Sequence, residues 1–206
     1  MADLFFFVSF LVCVGLLIRI LWQAIRGNWT ACGTTTELLA GFVAAYATVL
    51  VALALLLPRR ELAPGERKCF DDWCVAVDKL ELQPSPSPLC PGAPAPVWVA
   101  SIQVSSVARR IHQRAPDASP ELEDDRGNRY GPCQSRGEHD IHDLLGPGES
   151  FPVSVAFAVP PDAHPAGLIV WHGKFPGLII AGDDQSWLHK PTLFRAKSAL
   201  LGGTPP

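Results

Sequence analysis

Two long apolar runs, Leu4 to Trp22 and Leu38 to Leu57, dominate the first quarter of this chain. Each approaches the roughly 20 residues a helix needs to cross a bilayer core of about 30 Å, which makes a membrane the first expectation about where the protein works. The second run, LLAGFVAAYATVLVALALLL, contains no charge, and its only polar punctuation is Tyr46 and Thr48. A helix that is apolar all round suits lipid better than a one-sided core. The first run carries Arg19 near its end, where the long side chain can reach the headgroups while Trp22 sits at the interface. Met-Ala-Asp supplies no basic start for a secretory signal, so this helix is expected to be retained. Gly41 and Ala45, with Ala40 and Ala44 beside them, form a small-residue stripe that could bring the helices close.

The segment Gln23 to Glu37 is expected to join the helices into a hairpin over residues 1–57. An even number of crossings puts the N-terminus and everything after Pro58 on one side. Arg59, Arg60, Arg67 and Lys68 follow the second helix and favour the cytoplasm by the positive-inside bias. Cys69, Cys74, Cys90 and Cys133 argue the other way, because disulfides persist outside the cytoplasm, and four cysteines allow three pairings. The resulting expectation is a multi-pass protein of the inner (cytoplasmic) membrane with an extracytoplasmic C-terminal domain, a cytoplasm-facing module being the alternative. Neither helix contains the buried ionisable pairs of a transport path.

The rest of the chain is punctuated for β-structure. The whole chain, with 20 prolines, 17 glycines, 18% charged residues and a net charge of −3, has no basic excess pointing to nucleic acid. After a juxtamembrane linker at 58–68, Trp73, Val75 and Val77 alternate with Cys74, Ala76 and Asp78. In VWVASIQVSSVA, Trp98, Ala100, Ile102 and Val104 share one face and Ser101, Gln103 and Ser105 the other. Phe151, Val153, Val155, Phe157 and Val159 alternate strictly, and Pro160 ends that run. Such period-two patterning fits antiparallel strands with one face on a core. Glu121 to Tyr130 reads as two short strands around a turn at Asp125 to Asn128, with Gly127 available for positive φ. Leu168–Trp171, Leu178–Ile180 and Thr192–Arg195 complete about seven strands, which implies a two-sheet sandwich over residues 69–200. A Pro-rich connector at 83–96 and a tail at 201–206 flank these elements.

The strand ending in Ser-Ser-Val-Ala-Arg-Arg, then Leu-Glu-Asp-Asp-Arg-Gly-Asn-Arg-Tyr, then Leu-Gly-Pro-Gly-Glu-Ser-Phe leading to Phe-Ala-Val-Pro, resembles the immunoglobulin-like extracytoplasmic domains of uncharacterised bacterial membrane proteins and lipoproteins. It is similar to the sandwiches of unknown function related to a mycobacterial secreted antigen. The resemblance covers roughly Cys69 to Lys197. It implies a membrane-anchored, outward-facing immunoglobulin-like β-sandwich of the cell envelope and offers no catalytic residues to carry over. The two helices and the Cys69/Cys74 pair depart from that pattern.

Chemistry-bearing motifs are sparse. Cys69-Phe-Asp-Asp-Trp-Cys74 has acidic neighbours that oppose a reactive thiolate. On one straight strand the two sulfurs would lie about 17 Å apart, so a direct bond needs a turn at Asp71-Asp72. Cys13 reads as a small apolar residue of the first helix, and Cys32 has no assigned role. His139-Asp-Ile-His142 and the alternating Glu121, Glu123 and Asp125 are better explained as solvated turns than as zinc or calcium ligands, so no metal or cofactor is expected. No Gly-x-Ser-x-Gly elbow or other catalytic motif occurs. The most interesting polar loops hold Trp171 and His172, then Asp183, Asp184, Trp187 and His189, a speculative binding set for which plugging the end of a sandwich is the preferred explanation. These features favour a non-enzymatic module whose partners are the bilayer and a protein or envelope polymer. An envelope enzyme using the 171–189 loops is the alternative.

Overall fold

The computed structural model describes residues 2–83, 90–92, 96–115, 117–133, 139–173, 177–183 and 185–199. Most of the Pro-rich connector, the tail and Asp184 lie outside them. The chain divides into two compact units, one of residues 1–59 with 174–191, the other of residues 60–173 with 192–206.

The first unit is built on helices α1 (Ala2–Ile25) and α2 (Trp29–Leu56), both long and apolar enough to cross a membrane by length and composition. Their connection is far shorter than the expected Gln23–Glu37 segment. Gly27, at φ +70°, closes α1 with Asn28 N–H donating to Gln23 O and Gly27 N–H to Ala24 O, both at 3.0 Å, the paired bonds of a Schellman ending. Asn28 then caps α2 by accepting from Ala31 N–H at 3.2 Å. Thr34, Thr35 and Thr36 lie within α2, and each hydroxyl satisfies its donor by bonding a carbonyl of the preceding turn, at 2.9–3.0 Å. Leu57 is extended ahead of Pro58, which ends α2. The helices meet through the stacked rings of Phe5 and Tyr46, 5.6 Å apart, and through a contact of 2.9 Å between Thr35 Oγ1 and the Gln23 side-chain amide. The expected small-residue stripe does not mediate this packing, since a Cβ on Gly41 would meet nothing within 4 Å.

Leu178–Ile180, expected as a strand, is mostly a 3₁₀ turn at Gly177–Ile179. Its backbone is engaged locally, with Ile180 N–H donating to Gly177 O at 3.0 Å and the Ile179 carbonyl accepting from Tyr46 OH at 2.6 Å.

The second unit is a two-sheet sandwich. Its strands are β1 (Glu61–Leu62), β2 (Arg67–Phe70), β3 (Trp73–Gln83), β4 (Val97–Ser106), β5 (Ala118–Asp124), β6 (Arg129–Tyr130), β7 (Ser150–Ala158), β8 (Pro165–His172), β9 (Leu193–Phe194) and β10 (Lys197–Ala199). One sheet runs β1-β9-β8-β5-β6 and the other β10-β3-β4-β7, with β2 added to β3. Among the described residues ten strands replace the expected seven or so, and the sheets are mixed rather than purely antiparallel, because β1/β9 and β3/β10 pair parallel. These are edge pairings of very short strands, which leave no alternation long enough to announce them. β4 occupies one edge of β3, so β2 and β10 share the other, on either side of the irregularity between Val77 and Lys79. The region assigned to a linker at 58–68 already holds β1 and the start of β2.

The alternating strands fill the core as their period requires. Trp73, Val75, Val77, Ile102, Val104, Phe151, Val153, Val155 and Phe157 are buried against Leu122, Leu168 and Phe194. A second, smaller cluster of Val97, Val99 and Ala156 with Cys90 lies apart from this one, with Cys133 packed on it. That cluster explains why β4 buries both faces near its start. Gly167 allows β8 to approach β9 closely, since a Cβ there would collide with the Phe194 carbonyl oxygen.

Candidate functional site

The two disulfides are Cys69–Cys74 and Cys90–Cys133. Cys69 and Cys74 sit directly opposite each other in the β2/β3 hairpin, whose two-residue turn is Asp71-Asp72, with Asp71 at φ +54°. Aspartate is among the few residues that adopt this region readily, which is why an acidic pair can make the turn. Cys133 N–H donates to Ala156 O at 2.8 Å, fixing its segment to β7 beside Cys90.

Trp171 and His172 belong to the sandwich unit, Asp183, Trp187 and His189 to the helical one. Trp171 Nε1 donates to Glu121 Oε2 at 2.8 Å, and the Arg129 guanidinium lies 5.4 Å from its ring centroid. The His172 ring packs on Phe70 at 4.2 Å, which in turn packs on Trp73. Both residues are therefore engaged with neighbours inside the sandwich. Asp183 accepts from Gln185 N–H at 2.8 Å, Trp187 is exposed, and His189 Nδ1 lies 3.4 Å from Ala54 O. His139 and His142 are occupied by Asp143 and Asp140 respectively, and the second nitrogen of His142 lies 2.9 Å from Ala118 O.

The acidic stretch 121–125 is also employed locally. Asp124 accepts from Arg126 N–H and Asn128 N–H on one oxygen and from Asn128 Nδ2 and Tyr130 OH on the other, at 2.7–3.0 Å. With Gly127 at φ +81°, these bonds hold the β5/β6 turn at the expected place. Burial pushes the Asp124 carboxyl up, but the hydrogen bonds from Asn128, Tyr130 and Arg126 outweigh it and hold the group below the usual carboxylate range. A carboxyl with a lowered folded pKa adds stability above its unfolded pKa of about 3.9, and that contribution is lost as pH falls through the folded value. Asp124→Asn is therefore expected to reduce stability at neutral pH and to flatten the decline below about pH 4, as read by unfolding at a series of pH values. Burial and the Asp124 charge raise the Tyr130 pKa, so its contribution is present below about pH 10 and is lost at higher pH.

Sequence inspection overlooked the β4–β5 connection, although three arginines within six residues, Arg109, Arg110 and Arg114, were its signal. Its base is pinned. Val107 N–H donates to Asp72 O at 2.7 Å, Gln113 and Leu145 exchange both backbone bonds at 2.8–3.0 Å, and Gln113 Nε2 donates to Ser106 Oγ at 2.8 Å and also to Asp72 O. Ala108 and Ala115 are buried, whereas Arg109, Arg110, Ile111, His112 and Arg114 are exposed. None of the three guanidinium groups has an ion-pair partner among the described residues. Val107, Ile111 and Leu144 are exposed apolar residues in and near this loop. Such a surface pairs donors suited to phosphate or carboxylate with apolar area that a ligand could cover. Among the described residues, no group of three or more His, Cys, Asp or Glu stands together in a way that could hold a metal ion.

No family model matches the chain, and neither does any curated protein. It is similar in structure to bacterial β-sandwich proteins. A secreted protein of Mycobacterium tuberculosis, MPT63, superposes with a TM-score of 0.42 at 16% identity, covering 56% of this chain and 98% of its own. The yjhA protein of Bacillus subtilis gives 0.44 at 10% identity, covering 68% and 100%. An uncharacterised β-sandwich protein of Clostridium difficile gives 0.40 at 13%, covering 68% and 93%.

Proposed function

We propose that this chain is a membrane-anchored, non-enzymatic β-sandwich of the bacterial cell envelope, facing outward, that contacts an anionic envelope polymer through Arg109, Arg110 and Arg114. The observation that carries this reading is the set of three exposed arginines, without ion-pair partners among the described residues, on a loop whose base is hydrogen-bonded in place. The outward location is supported by two disulfides in the sandwich unit and by two helices whose length and composition suit a bilayer.

Full-length protein in detergent should bind a poly(glycerol phosphate) polymer at low ionic strength and lose that binding as salt rises. Arg109→Gln, Arg110→Gln and Arg114→Gln together should weaken it by about ten-fold or more, each charge-assisted contact being worth roughly 1.5–3 kcal/mol before screening. Equal binding by the variant would overturn the assignment. The location has its own test. Thiol labelling of intact cells should find no free thiol at cysteines 69, 74, 90 and 133, even after lysis without reductant. Thiols that label only after lysis would instead support a cytoplasm-facing module, the orientation that Arg59 and Arg60 favour.

A further inference from the structure

We infer that Leu178, Ile179, Trp187 and Leu188 form an interfacial membrane contact, seated among the lipid headgroups and upper acyl chains beside the C-terminal turns of α2; this inference rests on the membrane reading of the helices. The α2 helix has 28 residues, about 42 Å, some 12 Å longer than a hydrocarbon core of about 30 Å. Phe5 stacks on Tyr46, so the start of α1 lies level with Tyr46. From there α2 continues to Leu56, about 15 Å, with little of α1 left to accompany it.

Along this stretch Tyr46, Leu50 and Ala54 form one stripe at i, i+4 and i+8. Leu50 and Ala54 are buried, and both ends of the stripe are bonded to the same segment, Tyr46 OH to Ile179 O at 2.6 Å and Ala54 O to His189 Nδ1 at 3.4 Å. Arg59 Nε, donating to Pro191 O at 2.8 Å, anchors the segment just past the helix end. Trp187 N–H donates to Leu178 O at 2.9 Å, which draws its two apolar pairs together.

Four large apolar side chains nevertheless face outward, with Leu178 40%, Ile179 37%, Trp187 56% and Leu188 53% exposed. Meanwhile the polar Gln185 and Ser186 are buried. This inside-out arrangement includes Leu188 at φ +67°, a region leucine avoids and glycine or asparagine would normally fill. On the same stretch of α2 to which the segment is bonded, Val49, Leu55 and Leu56 are exposed as well. An apolar medium that surrounds this end of α2 therefore also reaches the segment bonded to it. Tryptophan suits that depth, its ring lying in the apolar boundary while its N–H reaches a polar partner.

The test uses full-length protein with Cys13→Ala and Cys32→Ala, carrying Leu188→Cys or, separately, Leu178→Cys, labelled with a nitrobenzoxadiazole fluorophore in phosphatidylethanolamine/phosphatidylglycerol vesicles. A label at Leu11→Cys, midway along α1, reports whether that helix spans the bilayer. The expected result is quenching of both loop labels by lipids carrying a shallow nitroxide, with loss of most aqueous iodide quenching, while the Leu11 label responds to the deep nitroxide. Strong iodide quenching at both loop sites with a normal Leu11 response would overturn the inference and spare the membrane reading. Protection from iodide and lipid nitroxides alike would place a protein or second copy on the surface and also overturn it. Absence of deep quenching at Leu11 would sink both.

Discussion

Phe157→Ala should destabilise the sandwich by about 3–5 kcal/mol, the range for removing a buried aromatic side chain from a packed core. Phe157 is fully buried, sits opposite Trp98 in the β4/β7 register, and belongs to the main core cluster spanning both sheets. The neighbours that close around it come from paired β-strands, whose backbone bonds limit how far they can collapse into the vacated space. Guanidinium unfolding of the full-length protein in detergent, followed by tryptophan fluorescence, would measure the change. Phe157→Leu retains most of the volume and should cost less. If alanine cost under about 1 kcal/mol, the position would not be a core site of the kind described.

Removal of the Cys90–Cys133 bridge by Cys90→Ala with Cys133→Ala is expected to cost about 4 kcal/mol, because the bridge closes a loop with a sequence separation of 43 residues. The Cys69–Cys74 bridge has a separation of only 5, and the same chain-entropy relation gives about 2 kcal/mol. Alanine is preferred to serine because Cys90 lies in an apolar cluster with Val97, Val99 and Ala156, where a hydroxyl would be left without a partner. The two double variants, compared by denaturant midpoint under non-reducing conditions, should rank in that order. A larger loss from the short loop would show that hairpin geometry, rather than restriction of the unfolded chain, dominates.

The parts of this fold legible in the chain were those governed by local periodicity. Phe151, Val153, Val155, Phe157 and Val159 point to one core because successive side chains of a strand alternate. The turn after Asp124 was legible from Gly127, since a positive φ there is cheap only for glycine. Cys69 and Cys74 could be expected to bond only through a turn at Asp71-Asp72, and the β2/β3 hairpin has its turn there.

Elsewhere local cues pointed the wrong way. Gly33 and three consecutive threonines look like a loop within 23–37, yet they lie inside α2, with the threonine hydroxyls bonded to the preceding turn. Leu178–Ile180 has strand composition, but its backbone groups bond within a turn and to a tyrosine 133 residues away in sequence. Trp171 and His172 could be read as sandwich plugs or as ligand-binding residues, because aromatic and ionisable groups serve both roles. Their contacts with Glu121, Arg129 and Phe70 were invisible in the chain.

The sequence alone determined that two apolar helices precede a β-rich domain, and that four cysteines in this domain were available for pairing, because helix hydropathy and strand alternation are properties of neighbouring residues. The tertiary structure alone decided the cysteine pairing, the parallel edge strands, the exposure of three arginines on a pinned loop and the attachment of the 177–191 segment to α2. Each of these depends on which distant segments are brought together, and no local pattern encodes that. The same physics separates the two proposals: the arginines matter here because no carboxylate among the described residues pairs with them, and Trp187 and Leu188 because the fold leaves them outside while burying their polar neighbours.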